Sequence, residues 1–289
     1  MCCDGTVTDD RDPGRLRAVA ELLAGEATEF VRRRRIEVFG KGSSDDAATS
    51  AVRSKSTPTD PVTIVDTETE RLLRDRLAEL RPGDPIVGEE EGGSPLGHRG
   101  RPTWVLDPID GTVNFVYGIE AYAVSVGVQI DGRSVAGAVA NVPTGEVFSA
   151  ARGEGAHLRR EGVSTSLRCN PIDDVRMALV GTGFGYSPDR RSQQAEVLAR
   201  LLPGVRDVRR VGSCALDLCM VAAGRLDAYY ELGVNVWDWA AGALIAEEAG
   251  ASMLLPPVEQ GVWESSLIVA AAPGIAGDFD QALRRAGAL

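Results

Sequence analysis

Near Ala121 the hydrophobic period of the chain switches from that of helices to that of strands, and this switch constrains the fold more than any other feature. Tyr122–Ile130 and Ser134–Val142 flank Asp131-Gly132, a dipeptide favoured in two-residue hairpin loops. Pro143-Thr144-Gly145 then turns the chain into Glu146–Ala151, so the segment predicts an antiparallel meander. Upstream the spacing is helical. Leu16, Val19, Ala20, Leu23, Ala27, Phe30 and Val31 predict a helix over 13–38, and Val65, Leu72, Leu73, Leu77 and Leu80 a second over 62–80. Residues 40–57 are polar and Gly/Ser-rich and are expected to form a mobile loop. Ile86-Val87 and Trp104–Asp107 are short apolar strands. Past residue 156 strands (Met177–Gly181, Asp227–Glu231, Ala251–Leu255, Leu267–Ala271) alternate with helices (190–202, 213–223, 238–249, 274–286). Such alternation means α/β, here in two halves, 1–155 and 156–289.

Composition narrows the function. The 289 residues suit one large domain or two packed ones, and 44% apolar with 25% charged residues is ordinary for a globular protein. Apolar runs break well before a membrane-spanning length, and the first residues lack a basic segment followed by an apolar one. A cytoplasmic protein without membrane contact is expected. The 5 cysteines are scattered without a C-x-x-C, and the 2 histidines have no metal-ligand spacing, which argues against a disulfide framework and structural zinc. A net charge of −11 disfavours direct nucleic-acid binding. It does not exclude a phosphate ester if metal ions supply the positive charge. Lysine is nearly absent: Lys41 and Lys55 are the only two.

The acids carry the chemistry. In "TWVLDPIDGTVNF" (103–115) Asp110-Gly111 first suggests a hairpin. Pro108 inside the supposed first strand, and Asn114 and Gly118 in the second, speak against it. Asp66, Glu89-Glu90, Asp107/Asp110 and Asp238 all fall at loop or element ends. Singly they are ordinary: Asp66 favours a helix dipole, Glu89-Glu90 is a solvated loop, and Asp238 is an N-cap. Together they suit Mg²⁺, a hard ion that takes carboxylates, carbonyls, water and phosphate oxygens. Asp107 and Asp110 can supply two carboxylates with the Ile109 carbonyl between them. Gly111 lets a phosphate approach the main chain, and a helical turn opening there would aim the Gly111 and Thr112 amides at it.

"GEE" (88–90), "WVLDPIDGTVNF" (104–115) and "WDWAAGALIAEEAG" (237–250) resemble the inositol monophosphatase family, as do "KSTPTDPVTIVD" (55–66) and "RRVGSCALDLCMVAAGRLDAYYE" (209–231). The resemblance runs nearly the whole chain and implies an αβαβα sandwich, a lithium-sensitive phosphatase and a homodimer. It implies that Glu89, Asp107, the Ile109 carbonyl, Asp110 and Asp238 hold two Mg²⁺ ions. Asp66 would act through water on a third ion or on the nucleophile, and Thr112 with Glu89 would position the attacking water. The Gly111 and Thr112 amides would bind phosphate, with Asp110 and Asp238 beside it. Glu231 would accept substrate hydroxyls, and Gly212, Ser213 and Arg209 would line the same pocket. Lys55 belongs to a loop closing over the site. The implied reaction is in-line hydrolysis of myo-inositol 1-phosphate by metal-activated water, without a phosphoenzyme. Histidinol phosphate, fructose 1,6-bisphosphate, phosphoadenosine substrates or a broad range of sugar phosphates are rival substrates. A role as a transcription-complex or RNA-processing partner is a rival function. Cys214 reads as a small buried hydrophobe and Glu91 as loop charge. "GTGFGYS" (181–187) reads as a strand-to-helix loop near the pocket rather than a nucleotide site, because Tyr186 stands at the last glycine position.

Overall fold

The computed structural model describes residues 10–40, 51–55, 61–93, 99–256 and 267–289. Helix α1 (Pro13–Phe39) starts where Asp12 accepts a hydrogen bond from Arg15 N at 2.8 Å and Pro13 fits the first turn. Its stripe of Leu16, Ala20, Leu23, Ala27 and Val31 is buried. Strands β1 (Val52–Ser54) and β2 (Pro61–Thr63) pair antiparallel, and helix α2 (Ile64–Leu80) follows. A strand at 52–54 corrects the expectation of a loop throughout 40–57. Val52-Arg53-Ser54 is too short to carry a period for a sequence reading to find, and it forms a strand by pairing with β2. Residues 41–50 and 56–57 of the expected loop lie outside the described residues.

A seven-stranded sheet holds β3 (Ile86–Gly88), β4 (Thr103–Asp110), β5 (Ala123–Ile130), β6 (Arg133–Asn141), β7 (Val147–Ala151), β8 (Ala156–Arg160) and β9 (Val163–Ser166). The strands lie in chain order; β3–β4 is parallel and every later pair antiparallel. The expected meander is therefore present. The division expected after residue 155 falls between β7 and β8 of this one sheet, which continues to Ser166. Helix α3 (Thr112–Tyr117) is a short insert between β4 and β5.

The second sheet contains β10 (Leu179–Thr182), β11 (Asp207–Arg209), β12 (Ala228–Leu232), β13 (Ser252–Leu254) and β14 (Leu267–Ala271), in the order β11-β10-β12-β14-β13. Helices α4 (Pro188–Leu201), α5 (Cys214–Ala222), α6 (Val236–Glu248) and α7 (Ala276–Ala286) accompany it.

Side-chain alternation stacks these parts. Val124, Val126, Val128, Ala136, Ala138 and Ala140 of the first sheet join the core under α1 and α2. Ala123, Val139 and Phe148 pack on the other face, against Ala241, Leu244 and Ile245 of α6 and Leu216 of α5. The adjacent Tyr229 and Tyr230 of β12 point to opposite sides, one toward α5 and α6, the other toward Phe279 and Leu283 of α7. The layers are helices, sheet, helices, sheet, helices: the αβαβα sandwich. No helix among the described residues is long and apolar enough to cross a membrane.

Helix α6 approaches the first sheet closely because Gly127 and Gly137 face it. A Cβ on Gly137 would lie 2.9 Å from both Cα and Cβ of Ala241. Gly137→Ala should overpack this contact and cost about 1–3 kcal/mol, read as a lower midpoint in denaturant unfolding with an unchanged slope.

Candidate active site

Two carboxylates three positions apart on a regular strand would face opposite sides of the sheet. Asp107 and Asp110 nevertheless line one cavity of about 490 Å³. The register of β4 against β5 shifts between them, which places Pro108 and Ile109 in a bulge. The bulge tolerates the missing N–H of Pro108 and turns Asp110 to the same side as Asp107. Strand β4 is thus longer than Trp104–Asp107, and the proline marks its irregularity rather than its end. Gly111, at φ 95°, then reverses the chain into α3, a conformation few other residues accept.

Each acid is held. Asp107 Oδ1 accepts from Ile109 N at 3.0 Å. Asp110 Oδ2 accepts from Ser213 Oγ at 2.6 Å and from Ala215 N at 2.7 Å, at the start of α5. Asp238 Oδ2 accepts from Asn235 N, so Asp238 is the third residue of α6 and Asn235 its N-cap; the N-cap expected at Asp238 lies three residues earlier. Asp66 likewise completes a capping box with Thr63 at the start of α2. Its Oδ1 lies 3.1 Å from Thr112 Oγ1, which also lies 3.0 Å from the Ile109 carbonyl oxygen. The single Thr112 proton thus has two acceptors in reach.

Oxygens of Asp107, Asp110 and Asp238 come within 4.8 Å of one another, and Glu89 and Ile109 line the same cavity. Burial pushes Asp66 and Asp110 up to about 7 against the Thr63 and Ser213 hydrogen bonds, with Glu89 adding to both. Burial, then Glu89, Asp110 and Asp238, push Asp107 well above the usual carboxylate range, and Asp238 is raised in the same way. Such a cluster lacks positive charge. An all-oxygen donor set of this kind fits a hard divalent cation. Lys55 supplies one positive charge from the rim: its Nζ lies 2.8 Å from Glu89 Oε1 and pairs with Glu90. Burial lowers the Lys55 pKa, but the two glutamates outweigh it and raise the value overall.

The same cavity is also lined by Phe184, Gly185, Tyr186, Arg190, Arg210 and Glu231. Residues 184–187 are the expected loop near the pocket. Glu231 is reached by a hydrogen bond from the buried Tyr229 hydroxyl. Burial raises its pKa against that bond and against Arg210. Gly183 makes room for Glu231: a Cβ there would come within 1.9 Å of Glu231 Oε2 and displace the carboxylate. Gly212 lines the cavity. Ser213 does not: it caps α5 and holds Asp110. Arg209 is corrected. It ends β11, is exposed and pairs with Asp207 at 2.6 Å, while its neighbour Arg210 turns into the cavity. Cys214 faces the cavity as well as being buried; burial, then Glu231, Asp110 and Asp238, push its thiol well above the ordinary range, so it stays protonated. Glu91 is a loop charge that pairs with Arg74 at 3.5 Å. Sequence reasoning missed Tyr229, Gly183, Arg190 and Arg210. Tyr229 had a signal, because it lies two residues from Glu231 on one strand face.

Residues 13–286 match the model of the inositol monophosphatase family. The chain is 64% identical over 280 residues to a Mycobacterium tuberculosis protein named inositol-1-monophosphatase SuhB, covering 96% of each. It is 40% identical over 193 residues, 66% of this chain and 70% of the other, to a Vibrio cholerae protein named Nus factor SuhB. The solved structure of Mycobacterium tuberculosis SuhB superposes with a TM-score of 0.81 at 59% identity, over 96% of this chain and 98% of that one. The chain belongs to the inositol monophosphatase family and is a phosphoric monoester hydrolase.

Proposed function

We propose that the chain hydrolyses myo-inositol 1-phosphate to inositol and phosphate with Mg²⁺ as cofactor. The observation that carries this reading is one cavity lined both by a carboxylate cluster and by Glu231, an acceptor for hydroxyls. The name of the Mycobacterium tuberculosis relative supports the substrate. Glu89, Asp107, the Ile109 carbonyl, Asp110 and Asp238 would hold two Mg²⁺ ions, with Asp66 placed to reach a third through water. When bound, the ions neutralise phosphate charge and make water a stronger nucleophile.

The chain's own residues do the rest. Thr112 Oγ1 and the Glu89 carboxylate orient the attacking water toward phosphorus. The Gly111 and Thr112 amides hold phosphate oxygens. Asp110 stays in place through Ser213 and Ala215, and Gly212 leaves room beside it. Glu231, fixed by Tyr229, accepts hydrogen bonds from the polyol. Lys55 keeps Glu89 at the rim. Inhibition by Li⁺, a homodimer and a cytoplasmic location belong to the same reading.

Phosphate release from inositol 1-phosphate, histidinol phosphate, fructose 1,6-bisphosphate and phosphoadenosine phosphate, with and without Li⁺, tests it. Inositol 1-phosphate should be preferred and Li⁺ inhibitory. Glu231→Gln should lower kcat/KM for inositol 1-phosphate by about 10- to 100-fold, the worth of a hydrogen bond to a charged group. Preference for another ester would overturn the role of Glu231 and leave the metal site standing. The name of the Vibrio cholerae relative favours a second reading, a partner in a transcription complex. A cell strain carrying only Asp110→Asn separates the two: a retained cellular role would place the function in binding rather than turnover.

A further inference from the structure

Glu70 lies outside the cavity and holds the loop that carries Glu89. It stands one helical turn after Asp66 on α2 and is fully buried, at 0% exposure. Its Oε2 accepts from Glu90 N at 2.7 Å and its Oε1 from Glu91 N at 3.0 Å. Arg74, a further turn along α2, donates from Nε to Glu70 Oε1 at 2.9 Å and from a terminal nitrogen to the Gly92 carbonyl at 2.7 Å. The loop after β3 is therefore gripped at three successive residues, directly behind Glu89. The approach is close: a Cβ on Gly88 would lie 2.1 Å from Glu70 Oε1. Removing one partner of a buried, hydrogen-bonded ion pair of this kind is strongly disruptive.

We propose that the Glu70–Arg74 pair is a positioning element for the Glu89 backbone, beside the Lys55 contact to its carboxylate, and so tunes the Mg²⁺ affinity of the site; this rests on Glu89 being a metal ligand. Glu70 touches neither substrate nor cation. It fixes the backbone from which the Glu89 carboxylate is presented, as outer partners of metal ligands commonly do. Gln at position 70 can accept from one loop amide, but its NH₂ then faces the other donor. Arg74→Gln leaves Glu70 buried without its counter-charge and frees Gly92.

Titration calorimetry of Mg²⁺ into the parent protein, Glu70→Gln and Arg74→Gln tests this, alongside thermal melts without metal. Both variants should bind Mg²⁺ about 10- to 100-fold more weakly. Turnover at saturating Mg²⁺ should fall far less than turnover at limiting Mg²⁺. Arg74 is only partly buried, so Arg74→Gln keeps the test alive if Glu70→Gln fails to fold. Lower melting temperatures with Mg²⁺ affinity within about threefold of the parent would overturn the positioning role, because a merely structural pair shifts stability alone. No Mg²⁺ binding by the parent would instead overturn the metal reading on which the proposal rests.

Discussion

Asp110→Asn is expected to lower phosphate release by at least about a thousandfold, equivalent to roughly 4 kcal/mol of transition-state stabilisation, while leaving the fold intact. The asymmetry follows from the two sides of this residue. Its Oδ2 faces the protein, where Ser213 and Ala215 donate to it. An asparagine carbonyl can take that place unchanged. What Asn removes is the negative charge turned toward Asp107 and Asp238. The metal-free variant should thus melt no lower than the parent at neutral pH, since a buried repulsion is gone. A variant that loses activity together with its cooperative melt would make Asp110 a folding residue, against the account.

Metal-free protein is expected to lose stability as pH rises from about 5 to about 8, opposite to the usual acid denaturation. Asp66 and Asp110 have an ordinary pKa of 3.8 and are held at about 7 by burial. Between these values the folded protein binds protons that the unfolded chain has released. Their stabilising contribution is complete below the unfolded value and disappears as pH passes the folded one. A net change of about 2 kcal/mol would lower the melting temperature by roughly 3 °C in a chain of this size. Mg²⁺ should restore the loss, and more at pH 8 than at pH 5, because cations and protons compete for the same oxygens. Scanning calorimetry across this range checks both parts. A flat pH profile, or equal Mg²⁺ stabilisation at both ends, would contradict the electrostatic picture of the site.

The gathering of the acids was legible from sequence because Glu89, Asp107, Asp110 and Asp238 read together as an all-oxygen donor set, and the fold brings them to one cavity. The meander was legible because its turns are punctuated. Other features were hidden for physical reasons. Arg209 and Arg210 are consecutive, and which one faces the cavity depends on how β11 pairs with β10, where Gly181 lies opposite Arg209. Strands β8 and β9 carry mostly half-exposed or exposed residues, so no apolar alternation marks them. The close approach of Gly183 to the Glu231 carboxylate, forty-eight positions away in the chain, exists only once β10 and β12 are paired. Glu70 could have been read from its spacing to Asp66, but not the loop amides it holds.

Crystals soaked in Mn²⁺, a visible stand-in for Mg²⁺, test the central claim most directly through their anomalous scattering. The account predicts strong peaks among the carboxylates of Glu89, Asp107, Asp110 and Asp238, and their loss in Asp110→Asn crystals. Well-ordered carboxylates with no peak between them, at Mn²⁺ concentrations that support phosphate release, would contradict it.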